Sequence, residues 1–302
     1  MLSSIDLDRT HSMTLSAART VVITGGTGGI GLWSAVGIAK TGARVFVTGR
    51  DLARGQAGLA QIREESGNDN VELVIGDVSS IAGVDALASE LLGRTGRIDV
   101  LVNNAGYLGN APATSADGLE MHFAVNVLAP WRLAHALLPA LEAGEHARVV
   151  NVTGGDKPAA VDVEDLQAEK GFRGLMTYTH SKSILEAMSM VLARELESHN
   201  VGVHIVFPGR ASTAMTRSLT SAGLPGAMKL MMPFFKLFFW DDGGKSASKA
   251  ARSTIWAATT SELNGRTGHY FDTNSREAKL HPSAYDLEHQ ARIVDLLRHV
   301  AG

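Results

Sequence analysis

From residue 20 onward the chain is punctuated by short, nearly continuous apolar runs: TVVIT (20–24), RVFVT (44–48), VELVI (71–75), DVLVN (99–103), ARVVNV (147–152) and VGVHIVF (201–207). They are rich in β-branched residues and do not alternate with polar ones, the pattern of strands buried on both faces of a parallel sheet. Between them lie helical patterns such as SILEAMSMVLARELES (183–198), with apolar residues three and four apart and charges opposite. GHYF (268–271) reads as a seventh strand, and AYDLEHQARIVDLLRHV as a closing helix. The alternation predicts an α/β fold: a single Rossmann-type doubly wound parallel sheet of about seven strands, with helices on both faces. Ligands of such sheets sit beyond the carboxyl ends of the strands. Chemistry is therefore sought just after each apolar run.

Composition narrows the function classes. The 302 residues suit one large α/β domain, and a net charge of −3 gives no electrostatic reason to expect nucleic acid as a partner. The absence of cysteine excludes disulfides and thiolate chemistry and agrees with a reducing compartment, so a cytoplasmic location is expected. Residues 1–17 carry acidic groups where a signal peptide needs an apolar core, and are expected to form a flexible N-terminal leader to a domain over 18–302. The most apolar later stretch, GAMKLMMPFFKLFFW (226–240), is interrupted by Lys229, Pro233 and Lys236. A bilayer-spanning helix needs about 20 apolar residues, so no integral membrane segment is expected.

The first apolar run leads into TGGTGGIG (24–31) and then a helical pattern. Glycines there let the backbone approach a pyrophosphate, and a helix N-terminus offers unpaired N–H groups. The candidate contacts are Gly25, Thr27, Gly28, Gly29, Ile30 and Gly31. The second run ends in TGRD (48–51), where a dinucleotide binder selecting NAD commonly places an acidic residue. Arg50 can instead pair with a 2′-phosphate, which favours NADP(H) over NAD(H). The alternatives are an exposed arginine beside Asp51 and a preference for NAD.

Six motifs in order resemble the short-chain dehydrogenase/reductase family over roughly residues 18–275. The glycine loop is similar to its TGxxxGxG, and GDVS (76–79) to its adenine-contacting turn, through Asp77 and Val78. NNAG (103–106) resembles its fourth-strand motif, through Asn104, Ala105 and Gly106, and NVLAP carries its helix asparagine, Asn126. YTHSK (178–182) matches YxxxK, and PGRAST (208–213) resembles the loop at the nicotinamide end, through Pro208, Gly209 and Thr213. An insert before the tyrosine and the ending GHYFDTN…HPSAYD are similar to the retinol-dehydrogenase-like branch. That resemblance implies oxidoreduction of lipophilic carbonyls or alcohols with NADP(H), and a homo-oligomer.

Tyr178 and Lys182 are four apart and share a helix face. A free tyrosine titrates at about pH 10, and a neighbouring ammonium together with an oxidised nicotinamide is expected to lower that value. The resemblance implies that Tyr178 exchanges a proton with the substrate oxygen while the nicotinamide exchanges hydride with its carbon. It also implies that Lys182 holds the nicotinamide ribose and that Asn126 anchors a water in a proton relay. Family members carry a serine after the fifth strand to position the substrate oxygen; in NVTGG that position is Gly154. Losing such a donor commonly costs about 10²–10³ in rate. Three answers stand: the hydroxyl of Thr153, a backbone N–H of Gly154 or Gly155, or a pocket whose substrate is oriented by its own groups or undergoes no redox step at all. Strand alternation points Thr153 to the wrong face by default.

The stretch 214–245 follows the nicotinamide loop and is expected to form an apolar substrate lid, with Met228, Met231, Phe234 and Trp240 among its walls. A packed helix, a subunit contact and shallow membrane contact are the competing readings. The eleven histidines are dispersed without metal-ligand spacing, and no metal site is expected. The chain is thus expected to be an NADP(H)-dependent ketone reductase or alcohol dehydrogenase for a bulky apolar substrate. A dinucleotide-binding protein without redox turnover is the alternative.

Overall fold

The computed structural model describes residues 19–155, 159–223 and 242–301. The expected leader and most of the expected lid, 224–241, lie outside the described residues. Each of the seven apolar runs forms a strand: β1 (Thr20–Ile23), β2 (Arg44–Gly49), β3 (Val71–Ile75), β4 (Val100–Asn103), β5 (Arg148–Val152), β6 (Gly202–Val206) and β7 (His269–Phe271). A short eighth strand, β8 (Glu277–Ala278), pairs antiparallel with β7, while all other pairs are parallel. The sheet order is β3-β2-β1-β4-β5-β6-β7-β8. The direction of strand addition reverses between β1 and β4, which opens a crevice at their carboxyl ends.

Helices cover both faces. On one lie α1 (Gly29–Ala39), α2 (Leu52–Ser66) and α9 (Lys245–Thr259), packed over Val21, Ile23, Val45, Val47, Val150 and Val152. The other face carries α3 (Ile81–Arg94), short α4 (Met121–Phe123), a π-helical turn (Ala124–Leu128), α5 (Ala129–Ala136), α6 (Leu138–Glu142), α7 (Gly174–Glu197) and α10 (Leu287–Ala301). Those helices pack over Val22, Phe46, Leu101, Val149 and Val203. Neighbouring residues of one strand thus feed opposite cores, as the pleat requires, and this is why the strands read as unbroken apolar runs. The remaining short helix, α8 (Ala214–Arg217), begins with a capping box between Thr213 and Thr216.

Two local signals place the helices that matter. Asp51 caps α2 by accepting the Arg54 N–H at 2.8 Å, and Gly67 ends that helix in the left-handed region. The helix α7 is longer than the periodic segment 183–198 and starts at Gly174, so Tyr178 sits in its second turn. Among the described residues, no helix is long and apolar enough to cross a membrane, and no group of three potential ligands is placed to hold a metal ion.

Candidate active site

The glycine loop after β1 is shaped by close packing on its inner side and openness on its outer side. A Cβ on Gly31 would lie 2.3 Å from the Gly25 carbonyl oxygen, so only glycine lets α1 start against the loop. A Cβ on Gly28 would meet nothing within 4 Å. The Asn104 side chain donates to the carbonyls of Thr24 and Gly25 at 2.9 and 3.2 Å, and the Thr24 hydroxyl accepts from the N–H groups of Asn104 and Ala105 at 3.0 Å each. The loops after β1 and β4 are thereby fixed side by side. Thr27 lies against Gly49, next to exposed Arg50 at the end of β2, and Gly29 lies against the methyl of Thr213. Ile30 packs with Trp33 against Ala211 and Ala247. Val78 packs on the core from the turn after β3, where Asp77 accepts the Ser79 N–H at 3.0 Å. Gly209, after Pro208 and β6, is in the left-handed region, with Thr273 against it.

These residues form one open trough along the carboxyl ends of β2, β1, β4 and β6. A Cβ on Gly106 would project to 3.5 Å from Asn126 Oδ1 and 3.8 Å from Lys182 Nζ. Gly106 thus lies beside both the asparagine and the lysine. A cradle that side chains would fill, ending at a helix N-terminus and a cation, fits a dinucleotide.

The trough ends at α7. Lys182 is 3% exposed, and its ammonium donates to the Val152 carbonyl at 3.1 Å. Burial pulls its pKa down to about 8, against the opposing charge of Glu186. Tyr178 lies on the same face, with the Lys182 nitrogen 5.9 Å from its ring centre. Its phenol is not lowered as the sequence suggested. Loss of water around it disfavours the phenolate and pushes it up to about 12. The ring sits in an apolar cluster with Leu108, Leu175, Met215 and Leu219.

Gly154 lies directly under the phenol. A Cβ there would come 2.4 Å from Tyr178 Oη, so the tyrosine oxygen occupies the space that a serine side chain would need. The Thr153 hydroxyl does not join it. Its Oγ1 donates to Glu186 Oε1 at 2.7 Å, on the α7 side of the sheet. Asn126 is wholly buried in the π-helical turn, accepting from Tyr107 N at 2.8 Å and donating to Tyr107 O at 3.0 Å and Ser181 Oγ at 2.9 Å. Ser181 in turn donates to the Tyr178 carbonyl at 2.7 Å. The asparagine side chain thus ties the β4 loop to the turn of α7 that carries the tyrosine.

Sequence reasoning missed three buried or part-buried residues around the site, His122, Glu120 and Glu186. His122, wholly buried, accepts the Gly109 N–H at Nε2 (3.1 Å) and contacts Glu120 Oε1 through Nδ1 at 2.6 Å. Its ring lies 4.9 Å from that of Tyr107 and 6.5 Å from that of Tyr178. Since Nε2 accepts, Nδ1 carries the proton and donates to Glu120, leaving neither nitrogen for substrate. The third is Glu186. A charge inside the apolar run ILEAM was the available signal, since a buried face seldom carries an unpaired carboxylate.

Comparison with known proteins agrees with this architecture. The short chain dehydrogenase family model matches residues 19–223, and the chain belongs to that family. Mouse retinol dehydrogenase 14 is 32% identical over 299 residues, covering 95% of this chain and 87% of its own length. The chain is an oxidoreductase of the retinol-dehydrogenase-like branch. Among solved structures, an uncharacterised protein from Mycobacterium Paratuberculosis aligns with TM-score 0.71 at 22% identity, covering 94% of this chain and 93% of the other, and shares the fold. The Pseudomonas aeruginosa RhlG/NADP active-site complex aligns with TM-score 0.61 at 29% identity, covering 84% and 94% of the two chains.

Proposed function

We propose that the chain is an NADP(H)-dependent ketone reductase or alcohol dehydrogenase for bulky apolar substrates, with Tyr178 as the proton-transfer residue. One observation carries the reading: the Tyr178 oxygen is held over Gly154 at the end of the trough, while its ring forms part of an apolar wall. The NADP named with the P. aeruginosa relative and the exposed Arg50 after β2 support the cofactor choice.

The chain's own groups fit carbonyl reduction. A phenol pushed up to about 12 is fully protonated at neutral pH, and donates to a substrate oxygen as negative charge develops there. Lys182 supplies the positive charge nearby, held by Val152. The trough residues Gly25 to Gly31, Asp77, Val78, Asn104 to Gly106, Pro208, Gly209 and Thr213 hold the dinucleotide. When bound, its nicotinamide supplies the hydride. Thr153 is engaged by Glu186, so the oxyanion contact falls to the main chain at Gly154 and Gly155, where Gly155 turns with φ +95°. Leu108, Leu175, Met215 and Leu219 exclude water and favour an apolar substrate.

The test is NADPH oxidation with a panel of hydrophobic ketones, using the wild type and Tyr178→Phe. The wild type turns over at least one bulky ketone, and Tyr178→Phe is slower by at least about 10²-fold. Undiminished turnover in Tyr178→Phe contradicts the proposal.

A further inference from the structure

One helical turn beyond Lys182 is a carboxylate with no evident place in the proton transfer. Glu186 is 3% exposed. Its Oε1 accepts the Thr153 hydroxyl at 2.7 Å, and its Oε2, buried as well, has no hydrogen-bond partner. A carboxylate taken from water and only half satisfied is expensive, so it is retained for its charge or replaced by something neutral. The groups facing it settle which. Thr153 comes from the end of β5 and is a neutral donor. Tyr270 of β7 is a phenol pushed far above its ordinary value, by burial first and by Glu186 second, and so is neutral too. Lys182, on the same helix, is the one cation among the described residues whose charge bears on it.

The two α7 side chains grip consecutive residues of β5. Lys182 Nζ donates to the Val152 carbonyl at 3.1 Å, and Glu186 takes the hydroxyl of Thr153. We propose that Glu186 is a positioning residue that keeps Lys182 protonated, and that Thr153 acts behind it by keeping Glu186 ionised. This rests on the reading of Lys182 as the cation of the proton-transfer site. It gives Thr153 a task other than the substrate contact, and explains why its hydroxyl is bonded to Glu186 of α7 rather than to the phenol of the same helix.

The electrostatics run in the required direction. Burial is the larger influence on both groups, and the net result is a Lys182 ammonium pulled down to about 8 and a Glu186 carboxyl pushed up to about 7. The charge of each opposes the shift of the other, and the Thr153 hydrogen bond lowers Glu186 further. Removing the carboxylate charge leaves burial unopposed at Lys182, which then loses its proton at lower pH.

The experiment is a pH titration of the lysine side-chain amines by heteronuclear NMR, with the Lys182 resonance assigned by its loss in Lys182→Arg. Glu186→Gln, which keeps the shape of the side chain, lowers the Lys182 midpoint by about one pH unit or more. Thr153→Val moves it the same way by less, and Thr153→Ser restores it. The alkaline limb of kcat for ketone reduction moves down with the amine in the same order. An unchanged Lys182 midpoint in folded Glu186→Gln overturns the proposal. If circular dichroism shows that variant unfolded, an unchanged midpoint in Thr153→Val overturns it. A shifted midpoint in proteins that reduce no ketone sinks the proposed reaction and leaves the coupling of Glu186 to Lys182 standing.

Discussion

Gly154 and Tyr178 divide one small volume between them. The ideal Cβ at 154 lies 2.4 Å from the phenol oxygen, far inside contact distance, so any side chain there must displace the tyrosine. Restoring the serine common in the family is therefore expected to harm the enzyme. Gly154→Ser lowers turnover by about 10²-fold, as a displacement near 1 Å does at a reacting group, and Gly154→Ala does the same because the clash belongs to Cβ. A rise in ketone turnover with Gly154→Ser would show that the vacancy is chemical rather than steric. The glycine itself was legible in NVTGG. Thr153 does face α7, the helix that carries Tyr178, but its hydroxyl is taken by Glu186, so face alternation is not what keeps it from the phenol. Its acceptor was not legible, because Glu186 is 33 residues further on, across the β5–α7 connection.

At the scale of elements, β5 is the piece to which most others are tied. Its carboxyl end is gripped by α7 through Lys182 and Glu186, and its amino end holds α9. Arg148, 1% exposed, donates from Nη1 to the carbonyls of Ala257 and Thr260 at 3.1 and 2.9 Å and from Nη2 to Asn264 Oδ1 at 2.6 Å. Burial lowers its pKa only to about 10, so it stays charged at the carboxyl end of α9, where the helix dipole favours a cation. Arg148→Ala leaves those carbonyls without their donor, and urea unfolding should show a loss of about 3 kcal/mol; a change below about 0.5 kcal/mol, typical of a surface site, would contradict this. The apolar runs showed the seven longer strands because their residues face two cores. The eighth strand escaped because Glu277 and Ala278 are exposed and carry no pattern. The first turns of α7 escaped because GLMTYTHSK mixes small and polar residues over a half-buried site.

For the whole molecule, the reversal of strand order between the parallel strands β1 and β4 decides where everything else happens. The trough begins at the glycine loop after β1, passes Gly106 after β4 and ends at Lys182 on α7. The positions proposed to hold the dinucleotide could be read from the sequence because each follows a strand end, where a short motif marks it. The proton-transfer half was readable only as far as Tyr178, Lys182 and Asn126. Glu120 and His122 sit together at the start of α4 and Glu186 lies on α7, and the contacts they make, to Gly109 and to Thr153, are created only by the fold. The most direct test is a titration of the purified protein with NADPH and with NADH, followed by nicotinamide fluorescence. Saturable uptake in the micromolar range, tighter for NADPH and with that preference lost in Arg50→Ala, is the predicted result. Failure to take up either nucleotide at millimolar concentration would contradict it.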